Sequence, residues 1–156
     1  MEWEKLFRKY IWDDQTTPYQ VPLAKLNRRQ ADSEILVYSL FQGIFFAIVV
    51  IASLRGGPDG RSLGPAFYGF SVICAAALFG MLKSYPAALY LSATPLAALA
   101  YLFLYGFSSE RARMDTIFVT IVLLLLLRYS LRIVALARAY PGLPEPRDDK
   151  TPRRRQ

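Results

Sequence analysis

The chain contains no histidine and a single cysteine, Cys74. Without histidine there is no imidazole to ligate a haem iron or to activate a serine or cysteine nucleophile. A zinc site built from His or from several Cys is excluded for the same reason. One thiol cannot form an internal disulfide. Cys74 falls within an apolar stretch, where a free cysteine ordinarily packs as a small buried side chain. Acidic residues are also few, 12 against 19 basic ones. The pairs Asp13-Asp14 and Asp148-Asp149, and the nearby Asp32 and Glu34, are scattered along the chain and form no nucleophile–base constellation. The sequence therefore reads as non-enzymatic, with no cofactor expected.

What is abundant is apolar residue, 54% of the 156 positions. These residues gather into four blocks, Ile35–Leu54, Pro65–Leu82, Pro86–Phe107 and Thr116–Leu136. An uncharged run of about 18 residues or more is long enough to cross a bilayer as a helix. The expected fold is an all-α integral membrane protein. Its core is a bundle of four transmembrane helices in up-down-up-down order over residues 35–138. The connections RGGPDGRS (55–62), KSYP (83–86) and SSERAR (108–113) are too short to hold a folded domain. KSYP in particular makes the second and third blocks an antiparallel hairpin.

Charge sets the expected orientation. Fifteen of the 19 basic residues lie on the side of the two termini, and Arg55, Arg61, Arg111 and Arg113 lie on the other. Short loops rich in Lys and Arg remain cytoplasmic, so both termini are expected inside. The excess of arginine over lysine resembles the coding bias of a GC-rich bacterial genome, which points to a bacterial inner membrane.

Residues 1–34 read as a cytoplasmic segment. Within it, Trp3, Phe7 and Tyr10 fall on the apolar side of an amphipathic helix that would lie in the membrane interface. An extended strap follows. Asn27 with Gln30 three residues later resembles a capping box, so the first long helix should begin near Arg28. Residues 139–156, with four prolines and the Arg153–Arg155 cluster, read as a disordered basic tail attracted to anionic lipid headgroups rather than to nucleic acid.

Two arginines interrupt the fourth block. From Asp115 the uncharged run to Leu127 covers about 18 Å, at about 1.5 Å per residue. The hydrocarbon core is about 30 Å thick, which leaves Arg128 and Arg132 short of the inner headgroups. On the first block Glu34, Tyr38 and Gln42 recur at i, i+4, i+8 and share one face. We expect these two stripes to meet, Glu34 near Arg132 and Tyr38 or Gln42 near Arg128. They would form either a polar clasp or a site for an anion or lipid headgroup. The small residues Ser71, Ala75, Ala76 and Gly80 mark a close helix contact on the second block. Pro95 should free a backbone carbonyl inside the third.

These features suggest a non-catalytic accessory, assembly or stabilising subunit of a larger membrane complex, a bioenergetic one among the candidates. Its partners would be membrane lipids and other membrane subunits. The alternative is a small oligomeric transporter of an anionic or lipid-like solute. Against it, no acidic residue occupies the middle of a block.

Overall fold

A computed structural model describes residues 22–55, 63–105 and 110–145, with backbone alone for 105 and 110–114. Four α-helices account for most of them, and the described residues contain no strand. These are α1 (Arg28–Arg55), α2 (Leu63–Leu82), α3 (Tyr85–Tyr105) and α4 (Glu110–Ala139). All four are long and apolar enough to cross a membrane. The chain divides into two compact units, Met1–Glu34 with Ala139–Gln156, and Ile35–Arg138.

In the first unit the start of α1 is held by the expected reciprocal cap. The Asn27 N–H donates to Gln30 Oε1 at 3.1 Å, and the Gln30 N–H donates to Asn27 Oδ1 at 2.8 Å. A helix begins with four N–H groups that have no intrahelical acceptor, and this box satisfies two of them. A third, that of Arg28, donates to the Pro144 carbonyl at 3.0 Å. The residues after α4 are thus tied down: Tyr140–Gly142 form a 3-10 turn, and the chain continues extended through Leu143. The Tyr140 hydroxyl donates to Asp32 Oδ1 at 2.7 Å, and Arg28 Nη1 pairs with Glu145 Oε1 at 3.4 Å. The Arg28 guanidinium also lies 5.8 Å from the centre of the Tyr140 ring. The first residues assigned above to a disordered tail are therefore folded against 28–32. The expected interfacial helix, with Trp3, Phe7 and Tyr10, and the basic end of the tail lie outside the described residues.

The second unit holds the apolar lengths of the helices. α2 ends at Leu82, and Lys83 turns the chain with φ at 52°, a conformation that costs a non-glycine residue about 1 kcal/mol. Its N–H still donates to the Phe79 carbonyl, at 2.9 Å. Ser84 accepts the first bond of α3 from Ala88 at 3.2 Å, and Pro86 falls in the first turn, where its missing N–H is not needed. Two residues thus separate the helices, as KSYP predicts. Ser71 and Tyr90 bridge α2 and α3 through their hydroxyls at 2.7 Å.

The small residues of α2 serve α1 as well as α3. A Cβ placed on Gly69 would come within 2.8 Å of Val50 Cγ2 and 3.3 Å of the Phe46 carbonyl. One on Gly80 would lie 3.3 Å from Ser39 Cβ. Small side chains let helix backbones approach where no hydrophobic force drives them together. Here Gly69 and Gly80 meet α1, with Val72, Ala76 and Phe79 buried along the same length of helix. Cys74 departs from the expectation of burial: it is exposed, because the buried positions 72, 75, 76 and 79 leave 74 on the outer side of the helix.

α4 begins five residues before Asp115, the position from which the apolar block was counted. Glu, Arg and Ala are good helix formers, so the charged run ERARMD continues the helix beyond the apolar part rather than forming a loop. Large apolar side chains cover the outside of the unit, among them Phe67, Met81, Phe103 and Phe118, each at least 69% exposed. Exposure on this scale is compatible with an integral membrane protein, whose surface meets lipid instead of water.

Candidate functional site

Four polar residues of the second unit form one buried chain of hydrogen bonds. Its elements come from α1, α3 and α4. Tyr38 and Gln42, one turn apart on α1, are both buried. Gln42 Nε2 donates to Tyr38 Oη at 3.0 Å and to Thr94 Oγ1 at 3.2 Å. Tyr38 Oη lies 2.9 Å from Ser130 Oγ on α4. Thr94 Oγ1 donates onward to the Leu91 carbonyl at 2.8 Å.

That last bond answers what becomes of the proline in α3. Pro95 has no N–H to offer the residue four positions earlier, so the Leu91 carbonyl loses its helical partner. In an apolar surrounding a carbonyl without a partner costs several kcal/mol, which neighbouring Ser and Thr side chains commonly relieve. Here the hydroxyl of the preceding residue caps it, and α3 runs unbroken from Tyr85 to Tyr105. The same oxygen then accepts from Gln42, so the defect in α3 becomes its point of attachment to α1.

Rings pack around this chain. The Tyr38 ring lies edge-on to Phe79, with centroids 6.4 Å apart, and tilted to Tyr129 at 5.8 Å. Beside it, an open cleft of about 240 Å³ is lined by Phe41, Gln42 and Phe45 of α1, Thr94 and Pro95 of α3, and Phe118 and its neighbours on α4. A second, shallower groove runs along α1 and α2 over Gly43, Ala77 and Gly80. Ser39 lines that groove, 7% exposed, and its hydroxyl has no hydrogen-bond partner.

Of the five residues expected to form a clasp or anion site, Glu34, Tyr38 and Gln42 are buried, Arg132 is half-buried and Arg128 is exposed. The structure brings Tyr38 and Gln42 together, but the partners they find are Ser130 and Thr94, not Arg128. The reason is helical phase. At about 100° per residue, Arg128 is roughly 200° around α4 from Ser130. Ser130 shares its face with the buried Ile133 and Ala137, and so Arg128 projects away from it. Thr94 and Ser130 were absent from the sequence expectation. A hydroxyl next to a proline, and a lone serine midway between Arg128 and Arg132, were the signals that could have found them. Among the described residues no three His, Cys, Asp or Glu side chains gather as metal ligands would. Compared with protein families, with curated proteins and with solved structures, the chain matches none.

Proposed function

We propose that this chain is a non-catalytic accessory or assembly subunit of a larger membrane complex. In this reading it crosses a bacterial inner membrane four times, up-down-up-down, with both termini in the cytoplasm. The observation that carries it is the use to which the buried polar groups are put. Tyr38, Gln42, Thr94 and Ser130 bond to one another and so fasten three helices; they are neutral and stand in no acid–base relation to each other. This is the chemistry of a scaffold. Alternation of the crossings is favoured by the order of contacts, Phe46 and Val50 meeting Gly69 while the earlier Ser39 meets the later Gly80. The distribution of lysine and arginine favours cytoplasmic termini.

The surface offered to a partner helix is the groove over Gly43, Ala77 and Gly80, whose small floor permits close backbone approach. Extraction of the tagged chain from its own membranes in a mild detergent tests the assignment. It should migrate well above the mass of the chain alone and release other membrane proteins on denaturation. Nothing lies within 4 Å of a Cβ added at Gly43, so Gly43→Leu should fold normally and lose those proteins. A chain that migrates alone from native membranes overturns the proposal.

A further inference from the structure

We propose that the cleft between α1, α3 and α4 binds a membrane-soluble molecule whose head is a single planar ring carrying a hydroxyl, and that Gln42 Oε1 accepts the hydroxyl proton. The inference is independent of the role as a subunit. It follows from counting protons along the buried chain. Thr94 has one hydroxyl proton, and the Leu91 carbonyl exposed by Pro95 takes it at 2.8 Å. Toward Gln42 the Thr94 oxygen therefore acts only as acceptor, so the atom facing it at 3.2 Å is the amide nitrogen. The second amide proton goes to Tyr38 Oη at 3.0 Å, and the Tyr38 proton is left for Ser130 Oγ at 2.9 Å. Both donors of the amide are used, and its orientation is fixed.

The remaining atom, Oε1, receives no hydrogen bond from any described residue. It also differs from the Ser39 hydroxyl, which is unpartnered and sealed from the surface. Gln42 is 1% exposed and lies on the lining of the cleft, so an acceptor stands at the base of an otherwise apolar recess. An acyl chain in the cleft would leave that oxygen unsatisfied, with its desolvation uncompensated. Water is held stably only by two to four polar partners, and this lining offers one free atom. A donor on an apolar body meets both demands.

The walls choose the shape of that body. Phe41 and Phe45 stack with their planes 15° apart and centroids 6.3 Å apart, and both remain about half exposed. Phe118 faces the same recess from α4. Aromatic walls favour a ring through offset or edge contacts. A volume of about 240 Å³ admits one ring with a short substituent, and any tail extends through the open side into lipid.

A matched pair of probes tests this: 4-nonylphenol, and its methyl ether, which keeps ring and tail but has no proton to donate. With the full chain in phosphatidylcholine nanodiscs, saturation-transfer NMR should report the phenol bound about tenfold more tightly than the ether, the ratio that one such hydrogen bond supplies. Ala98→Phe fills the cleft without touching the hydrogen-bonded chain and should abolish binding of the phenol. Gln42→Leu should make the two probes bind alike. Equal binding of phenol and ether to the unaltered chain overturns the proposal, as does undiminished binding to Ala98→Phe. Should Gln42→Leu fail to fold, the matched pair and Ala98→Phe still decide.

Discussion

The two units solve one problem in opposite ways. Each ties together segments far apart in the chain: residues 28–32 to 140–145 in the first, and α1 to α3 and α4 in the second. The first uses charge, with Arg28 against Glu145 and a tyrosine hydroxyl on the Asp32 carboxylate. The buried chain of the second, Tyr38, Gln42, Thr94 and Ser130, uses neutral amide and hydroxyl groups. The difference follows the surroundings. Glu145 is 82% exposed, and an ion there keeps its hydration. Tyr38, Gln42 and Ser130 are at most 2% exposed, where the desolvation of an ionised partner can exceed the attraction it gains. Placing a polar residue in an apolar helix is tolerable when its partner is another neutral group a few ångströms away.

That contrast can be broken most severely at its hub. Gln42→Leu removes both donors from the buried chain and should lower stability toward denaturing detergent by about 1–2 kcal/mol, measured by circular dichroism. The next effect is a coupling. Tyr38→Phe, Ser130→Ala and the double variant should give an interaction free energy of about 0.6–1.7 kcal/mol, unchanged between low and high salt. A coupling that decays with salt would refute the neutral description.

In the exposed unit the corresponding cycle, Arg28→Gln with Glu145→Gln, should yield less than about 1 kcal/mol and fall further as salt rises. A value matching that of the buried pair would erase the distinction. Smallest of all, Arg128→Leu should change stability by no more than about 0.5 kcal/mol, since the side chain is exposed and lies off the face that Ser130 occupies. A loss of several kcal/mol there would restore the arginine clasp.

How much of this could be foreseen depended on whether a feature is local. The cap at Asn27 and Gln30 and the turn at Lys83–Ser84 are settled by residues three or four apart, and the sequence displays them directly. The apolar blocks are equally legible because a bilayer has one thickness. The start of α4 was not, since the same charged residues suit a loop and the first turn of a helix that outruns its apolar part. The partners of Tyr38 and Gln42 depended on the rotation of α3 and α4 about their axes. An apolar run such as VLLLLL gives no indication of that rotation. Arg128 stood out by charge, yet Ser130, two residues later, met the tyrosine.

The brevity of the link at Lys83–Ser84 bears on how the chain reaches its destination. Leu82 and Tyr85 are three Cα–Cα steps apart, no more than about 11 Å, which is about the width of one helix with its side chains. In the four-crossing topology proposed above, α2 and α3 would enter the bilayer together, as one hairpin. A lengthened link would be expected to separate two events that are now simultaneous.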